Sequence, residues 1–122
     1  MEINSANLAI RFLLEITGLI VLALLGWSLS EGLLRVVFAV GIPIVAATAW
    51  GFFAVPNDPS RSGNAPIPIP GLIRLLIEFC FFASVVWSLF VLNQSIGAWL
   101  FGLIVCVHYV VSHKRLFWLL RQ

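Results

Sequence analysis

Long apolar runs separated by short polar segments dominate the chain. Four such runs occupy residues 8–29, 33–55, 71–92 and 96–112. A transmembrane helix needs roughly 20 mostly apolar residues, so each run predicts one span. Polar turns at residues 30–32 and 93–95 join the runs in pairs, and turns this short make neighbouring helices antiparallel. The pattern therefore predicts two helical hairpins that form a single domain over residues 1–122.

Composition identifies the solvent of these helices. Of the 122 residues, 61% are hydrophobic and 10% are charged, and the mean hydropathy is +1.09. A soluble domain carries about 25% charged residues, and a chain this short cannot hide such an apolar excess in a core. The 7 Lys and Arg residues are also too few for a nucleic-acid binder, so we expect no nucleic-acid partner. We predict an all-α integral membrane protein with four transmembrane helices.

A proline-rich segment, residues 56–70, separates the two hairpins and holds five of the six prolines. Proline lacks an amide hydrogen and disfavours helix in the residue before it, so this segment ends one span and delays the next. Residues 66–70 alternate Pro and Ile, which favours an extended polyproline II conformation. The loop is interpreted either as a stiff spacer or as a lid or docking strip.

Basic residues predict the orientation. Six of the 7 Lys and Arg residues lie on the side shared by the N-terminus, the proline-rich loop and the C-terminus, and Arg35 lies on the other. The positive-inside rule then makes both termini and the loop cytoplasmic, in a multi-pass protein of the bacterial cell membrane. Residues 1–7 lack a basic region, so we expect the first span to be retained rather than cleaved as a signal peptide.

A short internal repeat carries charges into the first and third spans. Residues 10–15 read Ile-Arg, three apolar residues and Glu, and the same pattern returns at residues 73–78. Each copy opens one hairpin from the same side, so we expect the hairpins to be related by a pseudo-two-fold axis along the membrane normal.

The repeated glutamates define the candidate site. Glu15 and Glu78 lie about 10 Å inside the start of their spans, and each has an Arg one turn nearer the surface. An ionised residue at a helix centre costs roughly 2.5–3.5 kcal/mol, so the glutamates need pairing or protonation. Trp50 and two residues of the fourth span fall in the same layer. The candidate polar cluster comprises Arg11, Glu15, Arg74, Glu78, His108 and Tyr109.

Two functions follow from this cluster. Buried Arg–Glu pairs would fix the register of a structural or interaction bundle, with membrane lipids and a homo-oligomer or larger membrane complex as partners. Alternatively, Glu15 and Glu78 would form the proton or cation site of a small transporter or channel. An enzyme is not expected, because His108 and His113 point about 140° apart on a helix and match no metal-ligand spacing. No cofactor or metal is expected either.

Four segments of the chain resemble the YrdB family of small bacterial membrane proteins. They are residues 8–15 (LAIRFLLE), residues 50–56 (WGFFAVP), residues 70–78 (PGLIRLLIE) and a basic, Trp-containing C-terminus. The proline-rich loop departs from the family pattern, being lengthened by residues 64–67. The resemblance implies a four-helix integral membrane protein of unknown function, and it assigns no catalytic or transport residue.

Overall fold

A computed structural model of the chain describes residues 5–61 and 64–122. Two short stretches lie outside the described residues. They are residues 1–4, part of the N-terminal segment that lacks the basic region of a signal peptide, and residues 62–63 of the proline-rich loop. The described chain forms five helices: α1 (Ser5–Ser28), α2 (Leu33–Phe52), α3 (Gly71–Val91), α4 (Ser95–Val111) and α5 (His113–Leu120). Two strands of two residues each, β1 (Phe53–Ala54) and β2 (Ile67–Pro68), pair in parallel.

The four long helices agree with the predicted apolar runs to within about three residues at each end. The two largest differences, of three residues each, are at the start of α1, which begins at Ser5 rather than residue 8, and at the end of α2, which ends at Phe52 rather than residue 55. The second is at the proline-rich loop. There the chain becomes extended, and the amide of Ile69 donates a 2.9 Å hydrogen bond to the carbonyl of Ala54. The proline-rich loop is therefore held against the end of α2 rather than projecting as a spacer.

Each hairpin turns through one residue in the left-handed backbone region. Gly32 has φ 64° between α1 and α2, and Asn93 has φ 60° between α3 and α4. Glycine and asparagine are the residues that adopt this conformation most readily, which explains how such short polar turns reverse the chain.

Helices α1 and α3 form the centre of the bundle. Helix α1 packs extensively against α2 and also contacts α3 and α4, while α3 contacts α1, α4 and α5. The α1–α2 contact is close because Gly26 leaves no room for a side chain: a Cβ there would lie 2.3 Å from the carbonyl oxygen of Phe38. Small residues at contact points are typical of helices that associate in lipid.

The core lies between α1 and α3, and much of the remaining surface is apolar. Val85 of α3 is fully buried, and Phe82 beside it packs edge-on against Phe81 and Tyr109. In contrast, α2 has no buried residue at all. Large apolar side chains on the outside remain exposed, among them Leu33 at 80% and Ile96 at 78%. Such a surface suits lipid rather than water.

Helix α5 closes one end of the bundle. The chain bends by 72° between α4 and α5, so α5 turns across the start of α3. Leu119 of α5 is fully buried, and a Cβ on Gly71 would lie 1.6 Å from the Leu119 carbonyl oxygen. Only glycine at this position allows α5 to pack so closely.

Within residues 5–61 and 64–122, three helices are long and apolar enough to cross a membrane, namely α1, α2 and α3. Taking α4 and α5 together as one bent unit raises that number to four. The protein is thus all-α apart from one short strand pair, and its long helices are compatible with a membrane protein.

Candidate functional site

Glu78 of α3 is the centre of a buried charged cluster at the end of the bundle closed by α5. Its side chain has no exposed surface. Three guanidinium groups, contributed by α1, α3 and α5, lie within ion-pair distance of its carboxylate. The hydroxyl of Tyr109 also donates a 2.6 Å hydrogen bond to Oε1. Four helices therefore meet at this single carboxylate.

The two arginines of the repeat approach Glu78 from different helices. Arg74 lies on the same helix, and its Nε donates a 2.9 Å hydrogen bond to Glu78 Oε2. Arg11 crosses from α1, with Nη2 3.0 Å from Oε2. Arg11 also pairs within its own helix, its Nε lying 3.4 Å from Glu15 Oε1. The i,i+4 pairs predicted from sequence thus form, and an additional pair between helices links the two copies of the repeat.

Arg74 also holds the end of α2. Its Nη1 donates hydrogen bonds of 2.6 Å to the Trp50 carbonyl and 2.8 Å to the Phe53 carbonyl. Carbonyls at a helix C-terminus lack partners within the helix, so a cation there is favourable. One guanidinium thereby joins the start of α3, the end of α2 and Glu78.

Arg115 and Asp58 bring α5 and the proline-rich loop into the cluster. The Arg115 guanidinium forms a two-point contact with Asp58, Nε to Oδ1 at 2.8 Å and Nη2 to Oδ2 at 2.6 Å. The same group donates to both Glu78 oxygens, at 3.0 and 2.8 Å. Such fork-like contacts are the strongest ones that Arg makes with carboxylates. The loop therefore acts as an anchored strap over Glu78.

Asp58 titrates below the usual range because of these contacts. Burial alone would raise its pKa, but the Arg115 guanidinium together with two hydrogen bonds from Ser60 outweighs burial and holds the pKa below its ordinary value of 3.8. The Ser60 amide and hydroxyl donate to Oδ1 at 2.9 and 2.8 Å. Asp58 is therefore ionised near neutral pH and neutralises part of the charge on Arg115.

Glu15 lies at the rim rather than at the centre. Its side chain is 25% exposed, and the Trp50 indole N–H donates a 3.1 Å hydrogen bond to Oε1. The Trp50 ring in turn lies near two guanidinium groups, with Cζ of Arg11 5.0 Å and Cζ of Arg74 4.6 Å from its centroid. Trp50, which sequence placed in the same layer, is thus an integral part of the site.

His108 does not join the carboxylates. Its Nδ1 lies 2.8 Å from Asn7 Oδ1, and the Asn7 amide donates a hydrogen bond to the Ser112 hydroxyl. This buried polar group ties α1 to the end of α4. The sequence grouped His108 with Glu15 and Glu78, but its ring lies within hydrogen-bond distance of Asn7 on α1, about one turn before Arg11, rather than of Glu78. Tyr109, the next residue, makes the contact instead.

The charges of the cluster balance. Its members are Arg11, Glu15, Asp58, Arg74, Glu78 and Arg115. Three guanidinium groups face three carboxylates, so the set is neutral when all six are ionised. Among residues 5–61 and 64–122, no group of three His, Cys, Asp or Glu residues could hold a metal ion.

Trp50, beside the cluster, lines two cavities. The first is a polar cavity of about 320 Å³ beside Glu15. It is lined by Arg11, Glu15, Trp50, Gly51, Ser60, Arg61 and Arg74. An apolar crevice of about 600 Å³ runs between α2 and α3. The sequence predicted neither cavity.

Two members of the cluster escaped the sequence analysis. Asp58 lies in the proline-rich loop and Arg115 in α5, and they are 57 residues apart. The signal for Asp58 was present, since it is the one acidic residue between positions 32 and 77. Asp is also common in turns, however, so the sequence alone did not point to a partner.

Fold and site together define a small all-α protein with several membrane-length helices and a buried, neutral ion-pair cluster at one end. The chain belongs to the family described as "Protein of unknown function (DUF2568)", whose model matches residues 9–106. It is 38% identical over 121 residues to the uncharacterized protein YrdB of Bacillus subtilis (strain 168), covering 99% of this chain and 98% of that relative. The resemblance inferred from sequence is therefore confirmed. No solved structure matches the chain.

Proposed function

We propose that the protein is a structural or interaction bundle of membrane helices, not an enzyme, held at its cytoplasmic end by the ion-pair cluster. The observation that carries this proposal is Glu78, which is fully buried and contacted by three guanidinium groups and Tyr109. A carboxylate enclosed in this way has no free oxygen face for a ligand. What it does is join four helices and the proline-rich loop.

The proposed topology has four spans, with α4 as the fourth and α5 lying at the membrane surface. Helix α4 has 17 residues and rises about 26 Å, close to the roughly 30 Å of a bilayer core. Helix α5 begins with His-Lys-Arg and leaves α4 at 72°, as expected of a helix in the headgroup layer. Both termini and the loop are cytoplasmic by the distribution of basic residues, in the bacterial cell membrane.

Energetics favour a clamp. Moving a charge out of water costs several kcal/mol per ion, and only good geometry with further hydrogen bonds offsets that cost. Here both Glu78 oxygens accept several donors, and the cluster is neutral as a whole. The two Arg-x-x-x-Glu motifs then serve as two halves of an internal repeat joined by the Arg11–Glu78 pair, with Glu78 at the centre and Glu15 at the rim.

The transporter alternative has weaker support from the geometry. A cation approaching Glu15 through the polar cavity would meet the guanidinium groups of Arg11, Arg61 and Arg74. Glu78, the other predicted ligand, lies behind these arginines with no exposed surface. Like charges at the entrance oppose cation binding, so a proton or cation site is the less favoured function.

An interaction bundle needs an exposed surface that a partner can contact, and the side of α2 that carries Val37 and Val40 is such a face. It has no buried residue, whereas α1 and α3 each have eight. In the proposed function this face contacts lipid, or a second copy or larger complex within the membrane. Cross-linking from cysteines placed at Val37 and Val40, both exposed, would distinguish lipid from protein neighbours.

The two functions separate in one experiment with Glu78→Gln and Glu15→Gln. The clamp predicts that Glu78→Gln lowers the free energy of unfolding in detergent by about 3 kcal/mol, because one partner of a buried ion network is removed. It also predicts that vesicles containing the wild-type protein show no proton-coupled cation uptake above empty vesicles. Glu31→Gln, at an exposed carboxylate in the opposite turn, is the matched control and should unfold like the wild type.

Uptake that disappears in both glutamate variants while their unfolding stays that of the wild type would overturn the clamp and establish a transporter.

A further inference from the structure

The polar cavity beside Glu15 contains a positive charge that the ion-pair cluster does not use. Arg61, in the proline-rich loop, lines this cavity together with Arg11 and Arg74. No carboxylate in the described chain forms an ion pair with Arg61. Since the six-residue cluster is neutral, the described residues of the cluster and the cavity together carry one net positive charge, that of Arg61. A ligand bearing one negative charge would complete the balance.

The hydrogen-bond donors in this cavity are also incompletely used. Arg61 donates only to backbone carbonyls, Gly51 at 3.2 Å and Asn64 at 3.0 Å, and its Nε is buried without a partner among the described residues. Arg11 is 4% exposed, and its Nη2 has ion-pair proximity to Glu78 but no hydrogen bond of proper geometry. Buried donors of this kind are nearly always satisfied. Arg61 thus has donor capacity left for an anionic acceptor, whereas Arg11, whose Nη1 and Nη2 both face Glu78, adds its positive charge to the same cavity.

The polar region extends towards the loop. A second recess of about 380 Å³ adjoins it and shares Arg11, Glu15, Ser60 and Arg61. The Glu15 carboxylate and the Ser60 hydroxyl offer acceptors and a donor suited to hydroxyl groups on a ligand. The whole site therefore suits a phosphodiester that carries a hydroxylated group.

The apolar crevice supplies the other half of the site. It is lined on α2 by residues from Ile42 to Trp50 and on α3 by residues from Ile73 to Ser88, and it is almost free of polar surface. Along α3 from Ile73 to Trp87 the crevice is about 21 Å long, more than half of a roughly 30 Å bilayer core. That length accommodates one acyl chain of a single leaflet.

Trp50 lines both cavities, so a polar and an apolar compartment meet at one side chain. A soluble anion would fill only the polar cavity, and a plain hydrocarbon would fill only the apolar crevice. An amphiphile with an anionic head and a hydrocarbon chain would fill both.

We propose that this composite site binds one anionic phospholipid, its phosphodiester at Arg61 and Arg11 in the polar cavity and one acyl chain in the crevice between α2 and α3. The inference rests on the proposed membrane placement, with the cluster in the cytoplasmic leaflet, where anionic headgroups are available. It also uses the charge balance of the ion-pair cluster, to which Arg11 belongs. Arg61 is not a member of that cluster, so a variant of Arg61 tests the lipid site separately from the clamp.

The test measures lipid binding by full-length protein in detergent, titrated with phosphatidylglycerol, with phosphatidylcholine and with inorganic phosphate. Native mass spectrometry counts bound lipids, and the unfolding midpoint reports their effect. We expect one phosphatidylglycerol per chain, bound about tenfold more tightly than phosphatidylcholine because of the charge-assisted hydrogen bonds. Phosphate alone should raise the midpoint little, since it leaves the crevice unfilled.

Two pairs of variants locate the site. Arg61→Gln should weaken phosphatidylglycerol binding about tenfold, whereas Arg121→Gln, at an exposed arginine after α5 at the same end of the bundle, should not. Ala49→Phe should obstruct the crevice, whereas Ala47→Phe, on an exposed position of α2 outside it, should leave binding unchanged.

Equal effects of Arg61→Gln and Arg121→Gln would reduce the binding to general surface charge and overturn the proposal. Full stabilisation by inorganic phosphate, with Ala49→Phe having no effect, would overturn it in favour of a free-anion site. Without lipid, Arg61→Gln should shift unfolding far less than Glu78→Gln does, because Arg61 donates only to the carbonyls of Gly51 and Asn64. A failure of the lipid site therefore appears only in lipid titrations, and a failure of the clamp appears in lipid-free unfolding of the Glu78 variant.

Discussion

The two glutamates of the bundle have different surroundings although each follows an arginine by four residues. Glu78 is fully enclosed and accepts contacts from α1, α3, α4 and α5. Glu15 is 25% exposed, and within residues 5–61 and 64–122 its ion pair and hydrogen bond come from Arg11 on its own helix and Trp50 on α2. One carboxylate organises the fold, while the other faces a cavity.

The difference arises in the part of the chain that follows each hairpin. After α4 the chain turns back as α5 and carries Arg115 over Glu78, and the proline-rich loop supplies Asp58 to hold Arg115 in place. Among residues 5–61 and 64–122, no further helix turns back over Glu15 in the same way, because α2 leads directly into the loop. The Arg-x-x-x-Glu motif thus determines the ion pair within one helix. The burial of its glutamate depends on which other segments of the chain pack over it. This explains why the same four-residue spacing gives a fully buried glutamate in α3 and a partly exposed one in α1.

Removing Arg115 should produce the largest effect, because it uncovers Glu78. We expect Arg115→Ala to lower the free energy of unfolding by about 3 kcal/mol, since two buried carboxylates lose a shared partner. Arg115→Lys should recover only part of the loss, because an ammonium cannot make the two-point contact with Asp58. Denaturant titration in detergent, followed by near-UV circular dichroism, measures both.

The control is Arg121→Ala, which removes the same charge from an exposed position after α5. If Arg115→Ala unfolded at the same denaturant concentration as this control, Glu78 would not depend on α5, and the contrast between the two glutamates would have to come from α1 and α4 alone.

Sequence predicted the local half of this site and missed the long-range half. Apolar runs gave the helices, and the four-residue spacing gave the Arg11–Glu15 and Arg74–Glu78 pairs, because both depend on neighbours along one helix. Whether α5 returns over α3 depends on packing at Gly71 and on the bend after Ser112, which no periodicity encodes.

His108 illustrates the same limit at the level of one residue. Adjacent helical positions point about 100° apart, so once Tyr109 faces Glu78 its neighbour must face another helix. Which of the two faces Glu78 is decided by the rotation of α4, and that rotation is fixed by contacts with α1 such as the His108–Asn7 hydrogen bond. The depth of His108 and Tyr109 along α4 was predictable from the sequence, but the direction in which each side chain points was not.

Acid should weaken the strap over Glu78 through Asp58. Its pKa is lower in the folded protein than the ordinary value of 3.8, so the unfolded chain binds the proton more readily. The contribution of Asp58 to stability is therefore fully present above about pH 5 and is lost as the pH falls through 3.8 towards the folded pKa. Unfolding measured between pH 7 and pH 3 should show this decline.

Asp58→Asn supplies the comparison, because asparagine does not titrate. The difference in unfolding free energy between wild type and Asp58→Asn should be largest near neutral pH and should shrink in acid. A difference that stays constant down to pH 3 would mean that Asp58 stabilises the loop through its shape and hydrogen bonds with Ser60, not through its charge.

The smallest effect is expected at Glu15, and it completes the comparison. In Glu15→Gln the side-chain oxygen still accepts the Trp50 indole hydrogen bond, so only the 3.4 Å ion pair with Arg11 is lost. A partly exposed pair of this kind contributes under about 1 kcal/mol. A double-mutant cycle with Arg11→Gln isolates that coupling from the contact between Arg11 and Glu78. If the coupling free energy of Arg11 with Glu15 were as large as that with Glu78, the exposed pair would stabilise the fold as much as the buried one. A ligand in the cavity would then have to break a stabilising ion pair in order to bind.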